Sequence, residues 1–341
     1  MKKIRTSISL LAICLLLLLA ACGGNNTANT SNSEKNESAS KSEGDSSDYP
    51  KKPVTLMLSF SAGGSTDLFT RQFAEIAEEH LGQKIIIKNE TGGGGLTMYS
   101  TLMKAKPDGY TMAMGMGTTL YAINPHLKLM DFSGDDFTLV APILGYQYVI
   151  GASKDAPFQT FEELIEYSKT NKVTVASSAI TNSLFAELIN KAEDFKLNWE
   201  IVNFKGAGES TAALLGGHVD ISLDPPITML GPWESGDLNL LATLNEEESA
   251  ALPGVPTLKE LGYENLVLNA VAGIGGPAGL PEDVVAKWEE VIQKTAEDPR
   301  LKEFADKNSF TILKMSQKEV MDYLAGMTDE FGSVVDRVTK Q

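Results

Sequence analysis

Apolar and polar positions fall in blocks whose period switches between that of a strand and that of a helix. Val54, Leu56, Met57, Leu58 and Phe60 form a mostly apolar run, suited to a strand covered by helices on both faces. Gly63 and Gly64 then allow a turn that other residues avoid. Phe69, Phe73, Ile76, Ala77 and Leu81 follow at helical spacing as far as Gly82, with Ser65 or Thr66 as the expected cap. The alternation continues with a strand at 84–88, a glycine turn at 92–95, a helix at 96–104 and a strand at 110–114 running into a second glycine turn, Gly115 to Thr119. Helices are predicted to about Lys169 behind a Thr160 cap, after Ser183, after Gly208, over 281–295 and over 316–338, and strands over 173–176, 200–203 and 219–223. Such β-α alternation calls for parallel sheets, in which ligands sit beyond the carboxyl ends of the strands.

The junction Ser61-Ala62-Gly63-Gly64-Ser65-Thr66-Asp67 is a candidate anion seat. Strand, glycine turn and helix start together present backbone N–H groups and the positive end of a helix dipole. It lacks the last glycine of a nucleophile elbow and the Gly-Lys-Ser/Thr of a phosphate loop. Asp67 reads mainly as a residue that shapes this loop, because a carboxylate in the first helical turn is favoured by the dipole. A second junction, Ser177-Ser178-Ala179-Ile180-Thr181-Asn182-Ser183, carries hydroxyls and an amide, and a third follows at Lys205-Gly206-Ala207-Gly208. Asp224 closes a strand before Pro225, where it either meets a ligand amine or hydroxyl or starts a turn. Two groups of such junctions, far apart in sequence, suggest two lobes facing across a cleft.

The N-terminus has its own pattern. Lys2, Lys3 and Arg5 precede a small-or-apolar run from Leu10 to Ala21, too short for a membrane span and laid out as an export signal. The run ends in Leu19-Ala20-Ala21-Cys22-Gly23, which resembles the lipobox of bacterial lipoproteins and implies lipidation at Cys22 after removal of residues 1–21. Cys14 lies in the removed segment, so no disulfide is expected. Residues 22–48 carry no apolar side chain larger than alanine beyond Cys22 and read as a flexible tether, leaving a folded part from about Tyr49 that is long enough for two lobes. The formal net charge is −16, and becomes −19 without the three basic residues of the signal. That acidity argues against nucleic acid as a partner and requires any anionic ligand to be held by local dipoles. His80, His126 and His218 have no metal-ligand spacing, and nothing in the sequence asks for catalysis, a metal or a cofactor.

Ten short motifs stand in one order. They include Gly63-Gly64-Ser65-Thr66-Asp67, Pro107-Asp108-Gly109-Tyr110-Thr111, Asn124-Pro125-His126, Leu214-Leu215-Gly216-Gly217 and Gly276-Pro277-Ala278-Gly279-Leu280-Pro281. In this order the chain resembles the substrate-binding proteins of tripartite tricarboxylate transporters, the Bug family. The resemblance implies a two-lobed periplasmic-binding-protein fold of type II-like α/β architecture, two α/β domains joined by two crossing strands near Tyr148–Gly151 and Leu268–Gly273. Lobe 1 would comprise 49–150 and 273–341, and lobe 2 would comprise 151–272. By position it points to Ser61, Gly63, Gly64, Ser65, Thr66 and Asp67 on the first lobe and Ser177, Ser178, Thr181 and Asn182 on the second, with Thr118 and Asp224, as ligand-binding residues. It further implies a monomeric receptor for a small organic carboxylate that hands its ligand to membrane permease subunits. Three departures bear on the ligand: Ser59 and Ser61 flank Phe60, Asn203-Phe204 precedes Lys205, and Asn182 replaces a common glycine. The alternatives are a sensor lipoprotein feeding a membrane kinase and an extracellular serine hydrolase. If Cys22 is the anchor, Cys22→Ser moves the protein from the membrane fraction to the soluble extracytoplasmic fraction and abolishes labelling by a clickable fatty acid; continued membrane retention of the variant refutes the anchor.

Overall fold

The computed structural model describes residues 49–128, 130–192 and 196–339. The expected signal segment, Cys22 and the tether lie outside the described residues. The chain begins with β1 (Val54–Leu58), α1 (Ser65–Leu81), β2 (Ile85–Asn89), α2 (Leu96–Met103), β3 (Thr111–Gly117), α3 (Asn124–Leu127) and β4 (Phe137–Tyr146). It crosses to β5 (Val149–Ser153), α4 (Phe161–Ser168), β6 (Val173–Ser177), α5 (Ile180–Asn190), β7 (Trp199–Asn203), α6 (Ala207–Leu215), β8 (Ile221–Asp224), α7 (Leu230–Glu234) and β9 (Leu238–Thr243). It returns through β10 (Ala270–Pro277), α8 (Glu282–Glu297), α9 (Pro299–Lys307), β11 (Phe310–Ile312) and α10 (Gln317–Thr339).

Two sheets result, one per lobe, with strand orders β11-β4-β10-β3-β1-β2 and β7-β6-β8-β5-β9. Leaving aside β11, each has the same plan: second strand, first, third, the strand arriving from the other lobe, fourth. Both sheets are mixed, where the β-α alternation alone calls for parallel ones. β1 pairs parallel with β2 and β3, and β6 with β7 and β8, but β10 runs antiparallel to β3 and β4, and β5 antiparallel to β8 and β9. The reason is geometric. The βα units point their carboxyl ends at the cleft, whereas a strand arriving from the other lobe starts at the cleft and must run away from it.

β1 is buried on both faces, as its apolar run predicts. Val54, Leu56 and Leu58 pack with Phe69, Phe73 and Trp288 under α1 and α8, while Met57 turns to the opposite core with Met98 and Leu102 of α2. α1 closes at Gly82 in the left-handed conformation, φ 76°, where glycine carries little cost. β3 extends three residues beyond its predicted end, through Gly115 to Gly117. A Cβ on Gly117 would overlap the carbonyl of Val271, so glycine is what lets β10 lie this close. α10 belongs to the returning chain yet packs against α5 of the second lobe, with Phe331 stacked on Phe185 at 5.9 Å between ring centroids. That contact ties both lobes into one apolar cluster.

Since the obstacle at Gly117 is backbone, Gly117→Ala is expected to cost about 1–3 kcal/mol in urea unfolding. Gly231→Ala in α7 meets nothing within 4 Å and should be neutral or slightly stabilising. Equal stability of the two variants would refute the close approach.

Candidate functional site

The first wall of the cleft is the turn from β1 into α1. Gly63 takes φ +77°, which aims its N–H at the Asp67 carboxylate 2.9 Å away. The same carboxylate accepts from Arg71 Nε at 2.8 Å, from a terminal Arg71 nitrogen at 2.9 Å and from Asn89 Nδ2 at 2.9 Å, and Asn89 also donates to the carbonyl of Phe60. Asp67 is 1 % exposed. Burial opposes its ionisation, but the hydrogen bonds from Arg71, Gly63 and Asn89 outweigh it, and its pKa lies below the ordinary 3.8. Asp67 thus fixes the loop from behind instead of facing a ligand. The expected cap is also corrected: the residue preceding α1 is Gly64, and no side chain caps the helix. Thr66 instead pairs its Oγ1 with the Tyr146 hydroxyl at 2.8 Å.

The opposite wall repeats this logic with different residues. β6 ends at Ser177 and α5 starts after Ala179, again with no side-chain cap. Asp224, at the end of β8 and 0 % exposed, accepts from the N–H of Ser178 at 3.2 Å, from Asn182 Nδ2 at 2.6 Å, from Ser222 Oγ at 2.8 Å, and from the hydroxyls of Ser178 and Ser210. Burial pushes its pKa up, against these hydrogen bonds. Of the two roles open to Asp224, contact with a ligand does not fit this geometry, because its acceptors already serve the lobe's own donors. Ser177 is likewise buried behind the wall, bonded to Ser183 Oγ at 2.8 Å and the carbonyl of Ala179 at 2.9 Å.

The lobes meet across these walls. Ser61 N–H donates to the Lys205 carbonyl at 3.2 Å, and Gly206 leaves no room for a Cβ against Ser61 Oγ. Gly64 sits beside Ala207 and Gly208 beside Gly63, so the start of α6 closes onto the first glycine turn. Thr119 Oγ1 and Thr181 Oγ1 bond across the cleft at 2.9 Å. Two adjoining chambers remain. The inner one, about 40 Å³, is lined by Ser65, Thr66, Thr118, Thr181, Asn182 and Tyr146 among others. The outer one, about 190 Å³, is bounded by Phe60, the glycines 92–95, Ile180 and Phe204. Ser178, Phe60, Thr119 and Ala179 border both. Six of the sequence candidates therefore line the cleft, Ser61, Gly63 and Gly64 form its closing contact, and Asp67, Ser177 and Asp224 lie behind its walls. Phe60 and Phe204 lie at two of the departures from the family pattern, whereas Tyr146 and Ile180 carry no signal in the sequence, where an apolar residue at a strand end or helix start looks like core. Thr118 accepts from the N–H of Val271 at 2.9 Å, which pins the start of β10 beside the inner chamber.

The sequence profile described as the tripartite tricarboxylate transporter family receptor matches residues 69–339. The chain belongs to that family. A relative from Cupriavidus necator, described as a UPF0065 protein in the gbd 5' region, is 30% identical to this receptor over 293 residues, covering 85% of this chain and 88% of the relative. Among solved structures, MatC from Rhodopseudomonas palustris with bound malate is similar in fold at a TM-score of 0.78, 24% identity and coverage of 84% and 100% of the two chains. A second R. palustris protein, solved with adipate, matches the receptor at a TM-score of 0.80, 23% identity and coverage of 85% and 98%. The receptor thus has the two-lobed fold of periplasmic binding proteins.

Asp67→Ala leaves the Gly63 N–H and Asn89 without their acceptor and is expected to cost about 1–3 kcal/mol at pH 7. The folded pKa of Asp67 is depressed, so its contribution is present above pH 3.8 and is lost as pH falls through the lower folded value. The stability gap between wild type and variant should therefore narrow in acid. A gap that is the same in urea unfolding at pH 7 and near pH 3 refutes the role of the ionised carboxylate.

Proposed function

We propose that this receptor is an extracytoplasmic solute-binding protein, tethered to the outer face of the cell membrane through lipid on Cys22. It captures a small carboxylate between its lobes and delivers it to the permease subunits of a tripartite tricarboxylate-type transporter. The observation that carries the reading is the convergence of the starts of α1 and α5, both without a side-chain cap, on one chamber bordered by hydroxyls and an amide. The first turn of a helix has N–H groups with no partner inside the helix, and they carry the positive end of its dipole. Two such ends facing one chamber suit a carboxylate. Hydroxyls of Thr66 and Thr181 border the same space, and an ordered water can bridge them to a ligand oxygen at little enthalpic loss.

Each wall belongs to a different lobe, so a ligand that touches both is bound more tightly by the closed arrangement than by an open one. Binding then shifts the population toward closure, which is the state a permease can distinguish. The related folds solved with malate and adipate support the same ligand class.

Isothermal titration with a panel of mono-, di- and tricarboxylates should reveal at least one ligand, and that ligand should raise the melting temperature. Gly64→Leu tests the closing contact. Gly64 has φ −77°, open to any residue, but a side chain there points between Ser61 and Ala207 of the other lobe. The variant should fold and lose about tenfold or more in affinity. Unchanged affinity counts against lobe closure around the ligand, and a panel without any binder counts against the receptor reading itself.

A further inference from the structure

We infer that Tyr148 is a ligand-binding residue, whose hydroxyl donates a hydrogen bond to the carboxylate head of the solute. This rests on the carboxylate reading above and adds to the two helix starts a third contact, made by the first crossing between the lobes. Tyr148 stands between β4 and β5, lines the inner chamber and is 3 % exposed. Its hydroxyl has no hydrogen-bond partner among the described residues. The polar groups nearest to it are engaged elsewhere. The Tyr146 hydroxyl pairs with Thr66, and Asp224 takes its donors from its own lobe. A phenol this deep in the protein is costly to leave without a partner, and an oxygen brought in by a ligand supplies one.

The ring is held in place for such a contact. Phe185 of α5 meets it edge to face, with 5.1 Å between ring centroids and an interplanar angle of 89°. The Tyr146 ring lies 6.1 Å away on the other side of the turn between β4 and β5. The carbonyl of Tyr148 accepts the N–H of Leu244 at 3.0 Å, and Leu244 begins the segment that leads from β9 back to β10. The backbone that carries the phenol is thereby tied to both crossings, and a side chain fixed before the ligand arrives has little freedom left to lose. Burial first, then the nearby Tyr146 hydroxyl and Asp224 carboxylate, raise the pKa of Tyr148 well above its ordinary 10. These two neighbours belong to opposite walls, Tyr146 bonded to α1 and Asp224 behind the start of α5, so a hydroxyl that feels both lies between the walls. The phenol therefore stays protonated and acts as a donor. An ionised carboxylate only accepts, and a hydrogen bond to a charged acceptor is of the stronger kind.

Tyr148→Phe removes the hydroxyl and keeps the ring. Calorimetric titration of the protein and of this variant with acetate, malate, adipate, citrate and phenylacetate tests the assignment. The acid that the unaltered protein binds most tightly should bind the variant about tenfold or more weaker. The ligand-free variant should be as stable in urea as the unaltered protein or more so, because no bond within the protein is lost. Equal affinity of the two proteins for every acid that binds overturns the assignment and leaves the carboxylate reading intact. A ligand-free variant that is less stable reveals a protein partner for the hydroxyl and overturns the assignment as well. No binding of any of the five acids by the unaltered protein overturns the assignment and the carboxylate reading together.

Discussion

A helix start offers N–H groups to a ligand only while nothing in the protein takes them, and a loop without a cap must then be held in place by some other means. In this receptor the holding is done from behind by two buried carboxylates. Asp67 gathers Gly63, Arg71 and Asn89 onto one side chain, and Asp224 gathers Ser178, Asn182, Ser210 and Ser222. Side chains cap α4 and α9, through Thr160 and Asp298, whereas α8, which starts after Pro281 outside both chambers, has no side-chain cap. Holding from behind also explains why the residues that shape the seat are acidic although the seat suits an acid. They are turned away, and their acceptors are filled.

The shared strand plan of the two sheets places this device at equivalent points. β1–α1 and β6–α5 are the first βα units of their lobes, flanked on one side by the second strand and on the other by the third. The order reverses there, which leaves a crevice at the carboxyl edge that no connection covers. β5 and β10 start at the same crevice and run the other way, so the two crossings border the site. Thr118 bonds to the start of β10, and Tyr146, the last residue of β4, bonds to Thr66. The crossing strands and the seat thus share hydrogen bonds.

Much of this was legible along the chain. The apolar run of β1, the 3.6 spacing of α1 and the left-handed Gly82 are local properties, and local properties survive in sequence. The antiparallel strands were not. β10 contains Gly273 and Gly275, which show no strand alternation because their role is close approach to the backbone of β4, visible only once the partner is known. The partners of Asp224 lie at positions 178, 182, 210 and 222, so no short window contains the network. The cap of α1 was misplaced by one residue because Ser65 and Thr66 have capping chemistry, while glycine at 64 leaves a clear approach between the lobes.

The family resemblance pointed to loops that line this cleft but said least about its outer chamber, where Ser59 and Asn203-Phe204 depart from the common pattern. Electrostatics explains why a chain with net charge −16 can still seat an anion. Charges on the outer surface are screened within about 8 Å at physiological ionic strength, and a ligand between the lobes is affected mainly by groups nearer than that. The two nearest carboxylates behind the walls are quieted by different means. Arg71 sits against Asp67 and offsets its charge. Asp224 has no such cation among its hydrogen-bond partners, and burial instead drives it toward the neutral form while hydroxyls and an amide share its oxygens. What remains at short range is the pair of helix starts. Their reach is about one turn, so the attraction is strong for a group placed in the inner chamber and weak for one held outside it.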